Sequence, residues 1–244
     1  MTHEERLQIA RELARKVLDK HGDKVTAIAV YGSTAKGEDV AYSDLDLWVA
    51  TTEPVEDARF FSYRGLPISI NWDTEAGRLW LAGHVTPAWP LDADELRSYL
   101  VLYERGDFIE RLVQAVGNVR NEDYSRAVQA FMPRAHETAN KVRSAWERGD
   151  RYGVLSEGRA LCLRTAVILG LLNRRYYPGG RGIYTLSKQM EKQPRDYPRL
   201  LDLAGGFSTV EPERVYGASL GLWDNLMRLV GEEGVRWELE ELGL

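Results

Sequence analysis

Apolar residues recur at helical spacing through residues 4–20. Leu7, Ala10, Leu13, Ala14, Val17 and Leu18 fall largely on one face. His21-Gly22-Asp23 ends that helix with a glycine stop signal. An apolar run then predicts a strand at Ala27–Tyr31. A second strand begins near Asp44 and Asp46 and continues through Leu47, Trp48 and Val49. Phe60–Tyr63 and Pro67–Trp72 alternate as a hairpin around Arg64-Gly65. Ile68 and Ile70 take one face; Ser69, Asn71 and Asp73 take the other. Thr74 opens a further helix, EAGRLWLAG.

The period changes in the second half. Helical patterns run over 124–147, 152–173, 184–191 and 212–230. Turn signals separate them at Arg148-Gly149-Asp150, Pro178-Gly179-Gly180 and Gly205-Gly206. The helix at 108–116 stands at the junction, near Val116-Gly117-Asn118. The expected architecture is α+β: a catalytic unit with a small mixed sheet over residues 1–120, then a helical bundle over 121–244.

Composition adds bounds to this picture. The 244 residues are 44% hydrophobic and 28% charged, a globular composition large enough for one large or two modest domains. The longest apolar stretch, Leu161–Leu172, is interrupted by Arg164 and reads as a buried helix rather than a membrane span. The N-terminus is charged and helical in pattern, without the apolar centre of a signal peptide. Its single cysteine, Cys162, lies in that apolar helix and reads as a core residue. A cytoplasmic location follows as the expectation. Net charge is −5 with no basic block, which disfavours nucleic acid as a partner and suits a cationic one. His3, His21, His84 and His136 have no metal-ligand spacing.

The chemistry concentrates in GSTAKGEDVAYSDLDLWV. Gly32-Ser33 follows the first strand, and Asp44 comes eleven residues after Ser33. Alternation places Asp44 and Asp46 on one face, with Leu45 and Leu47 on the other. Two adjacent carboxylates repel unless a cation lies between them, and oxygen ligands of this kind suit Mg²⁺. Gly32 lets the backbone approach a phosphate, and Ser33 adds a hydroxyl. Such equipment serves phosphoryl or nucleotidyl transfer from a nucleoside triphosphate. Farther on, Glu137 and Lys141 stand four apart on one helix face. The pattern by itself favours a surface ion pair over a general base beside a phosphate-contacting cation.

Gly-Ser followed by Asp-x-Asp at this offset resembles the polymerase-beta-like nucleotidyltransferase superfamily. The opening MTHEERLQIARELARKVLDKHGDKVTAIAVYGS, with SDLDL, INWD, AWPL, HETANK and RRYY, resembles the kanamycin nucleotidyltransferases, which are aminoglycoside 4′-O-nucleotidyltransferases. The resemblance implies a homodimer with active sites shared between subunits. It also implies transfer of a nucleoside monophosphate from a Mg-nucleoside triphosphate to an aminoglycoside hydroxyl. On it, Gly32, Ser33 and Lys36 contact phosphate, Asp44 and Asp46 hold the metal, and Glu137 and Lys141 are catalytic. Asp46 stands where that branch usually has Glu. Ser69 stands where the family has a third carboxylate. Asp73, on the same strand face, is roughly 13 Å farther along a straight strand. Water, the substrate or a strand bend would have to supply the missing ligand. Two alternatives stay open: a catalytically weak nucleotide-binding homologue, and a transferase acting on a protein hydroxyl.

Overall fold

The computed structural model describes residues 1–180 and 182–238. Contacts within the chain divide it into two compact units. One contains Met1–His84 and Asp92–Val119; the other contains Val85–Leu91 and the described residues from Arg120 onward.

In the first unit, α1 (His3–His21) starts on a capping box. Thr2 accepts from the backbone N–H of Glu5, and the Glu5 carboxylate accepts from that of Thr2. The strands are β1 (Val25–Tyr31), β2 (Leu45–Thr51), β3 (Phe60–Tyr63), β4 (Leu66–Thr74) and β5 (Tyr99–Glu104). Their order in the sheet is β3-β4-β2-β1-β5. β2 and β4 run parallel; the other three pairings are antiparallel.

Both faces of the sheet are covered. Leu13 and Val17 of α1 pack with Ile28, Val30, Leu47, Val49, Ile68 and Ile70 on one face. Ala27, Ala29 and Trp48 on the other pack with Ala82 of α3 (Glu75–Gly83) and with Phe108 and Leu112 of α5 (Phe108–Gly117). This double burial explains why β1 reads as an unbroken apolar run while β4, nearer the edge, alternates. The polar face of β4 (Ser69, Asn71, Asp73) is the face of Asp46 and Trp48 in β2, so the candidate chemistry lies beside α3 and not beside α1.

Gly32-Ser33 opens a one-turn helix, α2 (Gly32–Lys36). Gly37, at φ +68°, closes it. Asp44 lies one residue before β2, so only Asp46 of the pair is a strand residue. β5 carries no alternation strong enough to read from sequence. It pairs with β1 as the edge strand, leaving Leu100 and Val101 exposed.

In the second unit, α6 (Asn121–Glu147) and α7 (Arg151–Leu172) are joined by a short turn in which Asp150 caps α7 by accepting from the Gly153 N–H. α10 (Pro212–Glu232) packs on α6, α7 and α9 (Tyr197–Ala204), the last of which the sequence reading did not include. The expected helix at 184–191 is a shorter α8 (Ile183–Ser187). Burial pushes the Cys162 thiol up to about 12, as suits a core residue. The segment Val85–Leu91 docks here too. The Pro90 carbonyl accepts from the Tyr177 N–H at 2.7 Å. A Cβ on Gly170 would stand 2.7 Å from that of Pro90, so α7 needs glycine at the crossing.

Candidate active site

β1 ends at Tyr31, whose Cα is paired across the ladder with Asp46. The chain turns at Gly32, φ +69°, and the Asp46 carboxylate fills the space a side chain would need: a Cβ built on Gly32 would lie 2.8 Å from Asp46 Oδ2. Glycine is required here twice over, by its dihedral and by this contact. Gly32, Ser33 and Asp46 thus form one corner, with Asp44 exposed at the start of β2. α2 has no side-chain cap at its N-terminus.

Asp44 is delivered by a loop that α1 holds. The Arg6 guanidinium, 1% exposed, donates to the carbonyls of Val40 and Ser43 at 2.8 and 3.2 Å, and to Asp39 Oδ2 at 3.0 Å. A buried cation with a carboxylate and several carbonyls is compensated, and it fixes the turn that leads into the aspartates.

Behind Asp46 lies a polar network on the same sheet face. Ser69 is opposite Asp46 in the parallel register of β2 and β4, where the sequence puts it. Asn71 Nδ2 donates to the Tyr31 hydroxyl at 2.9 Å and to Glu95 Oε2 at 3.3 Å. Burial raises the Tyr31 phenol, with Asp46 and then Glu95 adding to the effect, so it stays protonated. Arg78 of α3 is wholly buried. It lies 3.0 Å from Asp73 Oδ2 and 3.6 Å from Glu95 Oε1, with its guanidinium 4.6 Å from the Trp48 ring centre. Its nitrogens reach ion-pair distance without a well-aligned hydrogen bond, so attraction here is Coulombic and cation–π. Burial raises Glu95 against the pull of Arg78. Asp73 is therefore committed to Arg78. Among the described residues, no group of three or more His, Cys, Asp or Glu is arranged to hold a metal ion.

Lys36, at the end of α2, reaches Asp94 Oδ2 at 2.6 Å. Asp94 sits in a 3-10 turn (Ala93–Leu96) that also supplies Glu95. In the second unit, Glu137 Oε1 and Lys141 Nζ are 2.8 Å apart on α6, both more than half exposed. Lys141 lowers Glu137, which in turn raises Lys141. The histidines engage packing and hydrogen-bond partners: His3 meets Asp39, His21 meets Asp57 and Trp72, His84 stacks on Trp80, and His136 meets Asn140 and Trp223.

Sequence reasoning missed Arg6, Tyr31, Asn71, Arg78, Asp94 and Glu95. The alternation of β4 was a signal for Asn71. Arg78 and Asp94 gave none, because their partners are distant in sequence or on another element.

Comparison with known proteins gives the family. Residues 10–113 match the nucleotidyltransferase domain family, and residues 106–236 match the KNTase C-terminal domain family. Over 236 residues, the chain is 27% identical to an aminoglycoside nucleotidyltransferase (4′) from Staphylococcus aureus and, equally, to one from Bacillus sp; 96% of this chain and 93% of each relative are covered. A nucleotidyltransferase-like protein from Exiguobacterium sibiricum 255-15 shares the fold, with a TM-score of 0.60 at 15% identity over 91% of this chain and 77% of that one. The mixed sheet and the helical unit that follows are the architecture of a nucleotidyltransferase, and the chain belongs to the KNTase family of these enzymes.

Proposed function

We propose that this enzyme moves a nucleoside monophosphate from a Mg²⁺-nucleoside triphosphate to a hydroxyl of a cationic, aminoglycoside-like acceptor in the cytoplasm, releasing pyrophosphate. The contact of Gly32 with the Asp46 carboxylate carries the reading. It brings a metal-binding oxygen beside the Gly-Ser backbone, where a phosphate must lie. The names of the two 27%-identical relatives support the acceptor class.

In this reading Asp44 and Asp46 hold the metal, and their hard oxygen donors fit Mg²⁺. Bound there, Mg²⁺ offsets charge on the triphosphate. Gly32 and Ser33 present backbone and hydroxyl donors to the phosphates, and Lys36 adds a cation. Glu137 takes the proton of the acceptor hydroxyl, and that oxygen attacks the α-phosphorus in line with the departing pyrophosphate. Glu137 is exposed and so ionised at neutral pH, the form a base needs, and its hydrogen bond to Lys141 lowers its pKa further. When Lys141 turns to phosphate, that hold is released and Glu137 becomes the stronger base. The protein acts as a homodimer, with Asp44 and Asp46 of one chain serving Glu137 of the other.

Incubation with labelled ATP or GTP, Mg²⁺ and an aminoglycoside panel, followed by mass analysis of the drug, tests the reading. A drug heavier by one nucleoside monophosphate is the expected product; an unmodified panel rejects the acceptor. Ser69 favours a second reading, nucleotide binding with weak transfer, because it puts a neutral hydroxyl opposite Asp46. Slow transfer with normal nucleotide affinity would favour it.

A further inference from the structure

We propose that Asp94 is a positioning residue for the nucleotide: its carboxylate holds the Lys36 ammonium where the phosphates bind. The inference rests on the nucleotidyl-transfer reading above.

Lysine carries four rotatable bonds and about 2 kcal/mol of rotamer entropy, so an unrestrained lysine is a poor phosphate clamp. Lys36 is restrained. Its Nζ is 2.6 Å from Asp94 Oδ2, and the two side chains are only 18% and 7% exposed. The carboxylate is the anchored partner. The turn bearing it is closed by the Arg97 and Ser98 N–H groups, which both donate to the Asp94 carbonyl at 3.1 and 2.8 Å. Lys36 ends α2, the element that Gly32 and Ser33 begin, so fixing its tip fixes a cation at the phosphate corner.

The opposing argument is that Asp94 neutralises Lys36 and repels phosphate. Distance decides it. An ammonium has three donors, and this pair uses one. A phosphate oxygen bonded to another donor is closer to Nζ than to the Asp94 carboxylate beyond it, and Coulomb energy falls with separation. Attraction wins, and the order of the lysine is gained besides. The neighbouring Glu95 treats Asn71 and Arg78 in the same way, so this short turn fixes side chains on α2, β4 and α3 alike.

The test is a double-mutant cycle on the full chain. Affinity for Mg²⁺ with a non-hydrolysable ATP or GTP analogue is measured by calorimetry for wild type, Asp94→Asn, Lys36→Met and the double variant, each with its thermal melting curve. Asp94→Asn is expected to weaken binding on the order of tenfold, the scale of one charge-assisted hydrogen bond. The double variant should bind as Lys36→Met does, because Asp94 acts through Lys36. In steady state the loss should fall on KM for nucleotide more than on kcat. Asp94→Glu, which keeps the charge but moves the ammonium, should shift affinity without lowering the melting temperature, and it keeps the test usable if Asp94→Asn does not fold. Unchanged or tighter binding by Asp94→Asn overturns the proposal. So does a loss that persists undiminished in the Lys36→Met background. If Lys36→Met itself binds nucleotide like wild type, the failure belongs to the phosphate role of Lys36, and the proposal falls with it.

Discussion

Ser69 stands directly across from Asp46 in the parallel β2–β4 ladder, and Asp73, the nearest carboxylate on that strand face, is held by Arg78 at 3.0 Å. On the proposed reading the site therefore offers a metal two carboxylates, Asp44 and Asp46. Mg²⁺ retains waters readily and takes further oxygens from phosphates, so it should bind weakly to the free protein and well only with nucleotide. Ser69→Glu adds a charged ligand beside Asp46. Calorimetric Mg²⁺ titration should show stronger binding to the free variant than to the free wild type. Tight binding by the nucleotide-free wild type would mean that another group already completes the site.

Glu137→Gln keeps the size of the side chain and removes the proton acceptor. Turnover should fall on the order of 10²–10⁴-fold with nucleotide affinity little changed. An unchanged rate and pH–rate profile would reduce Glu137–Lys141 to a surface ion pair, for which its exposure also qualifies it.

The proposed homodimer with shared sites predicts complementation. Asp44→Asn and Glu137→Gln chains, each inactive alone, should regain activity when mixed, because one of the two sites in a heterodimer has both residues intact. Native mass spectrometry verifies the exchange. Exchange without activity would place both groups within a single chain's site.

Two glycines separate backbone strain from site geometry. Gly32 and Gly37 have φ +69° and +68°, so alanine at either should cost about 1–2 kcal/mol of stability. At Gly37 a Cβ meets nothing within 4 Å, whereas at Gly32 it meets Asp46. Denaturation curves of both Gly32→Ala and Gly37→Ala should shift, the former at least as far because its Cβ also meets Asp46. Only Gly32→Ala should lose most of its turnover. Equal turnover in the two would disconnect the Gly32 corner from catalysis.

Asp57 should make stability fall in acid. Lys20 hydrogen-bonds its carboxylate, and with help from His21 this lowers its pKa to about 2 against a partial burial penalty. A carboxylate depressed on folding contributes stability that is present above its unfolded value near 4 and is lost as pH falls toward 2. Urea denaturation of Asp57→Asn across this range should show lower stability at neutral pH and a flatter acid limb. Parallel curves for variant and wild type would deny Asp57 that share.

The backbone signals were local, and those were legible. Leu13 and Val17 announced the face of α1, and the alternation of Ile68, Ser69, Ile70 and Asn71 announced both the buried and the polar side of β4. Gly32, Ser33, Asp44 and Asp46 could be read because their spacing is short and chemically specific. What stayed hidden was long-range. Nothing around Asp94 indicates that it faces Lys36, 58 residues earlier. Nothing in the pattern sets Arg6 apart from the other charges of its helix, yet it is buried against the loop before Asp44. The α9 helix is short, and about two turns between Pro198 and Gly205 give little periodicity to detect.

Chain order and spatial order disagree at Val85–Leu91. A ribosome releases these residues before the strand β5 that completes the first unit, yet they belong with Gly170 and Tyr177, which emerge some eighty residues later. Until then Trp89, 5% exposed in the finished protein, has no core to enter. The growing chain therefore carries an unsheltered indole while those intervening residues are made, which makes this short segment the natural place for a chaperone to hold it or for neighbouring nascent chains to associate.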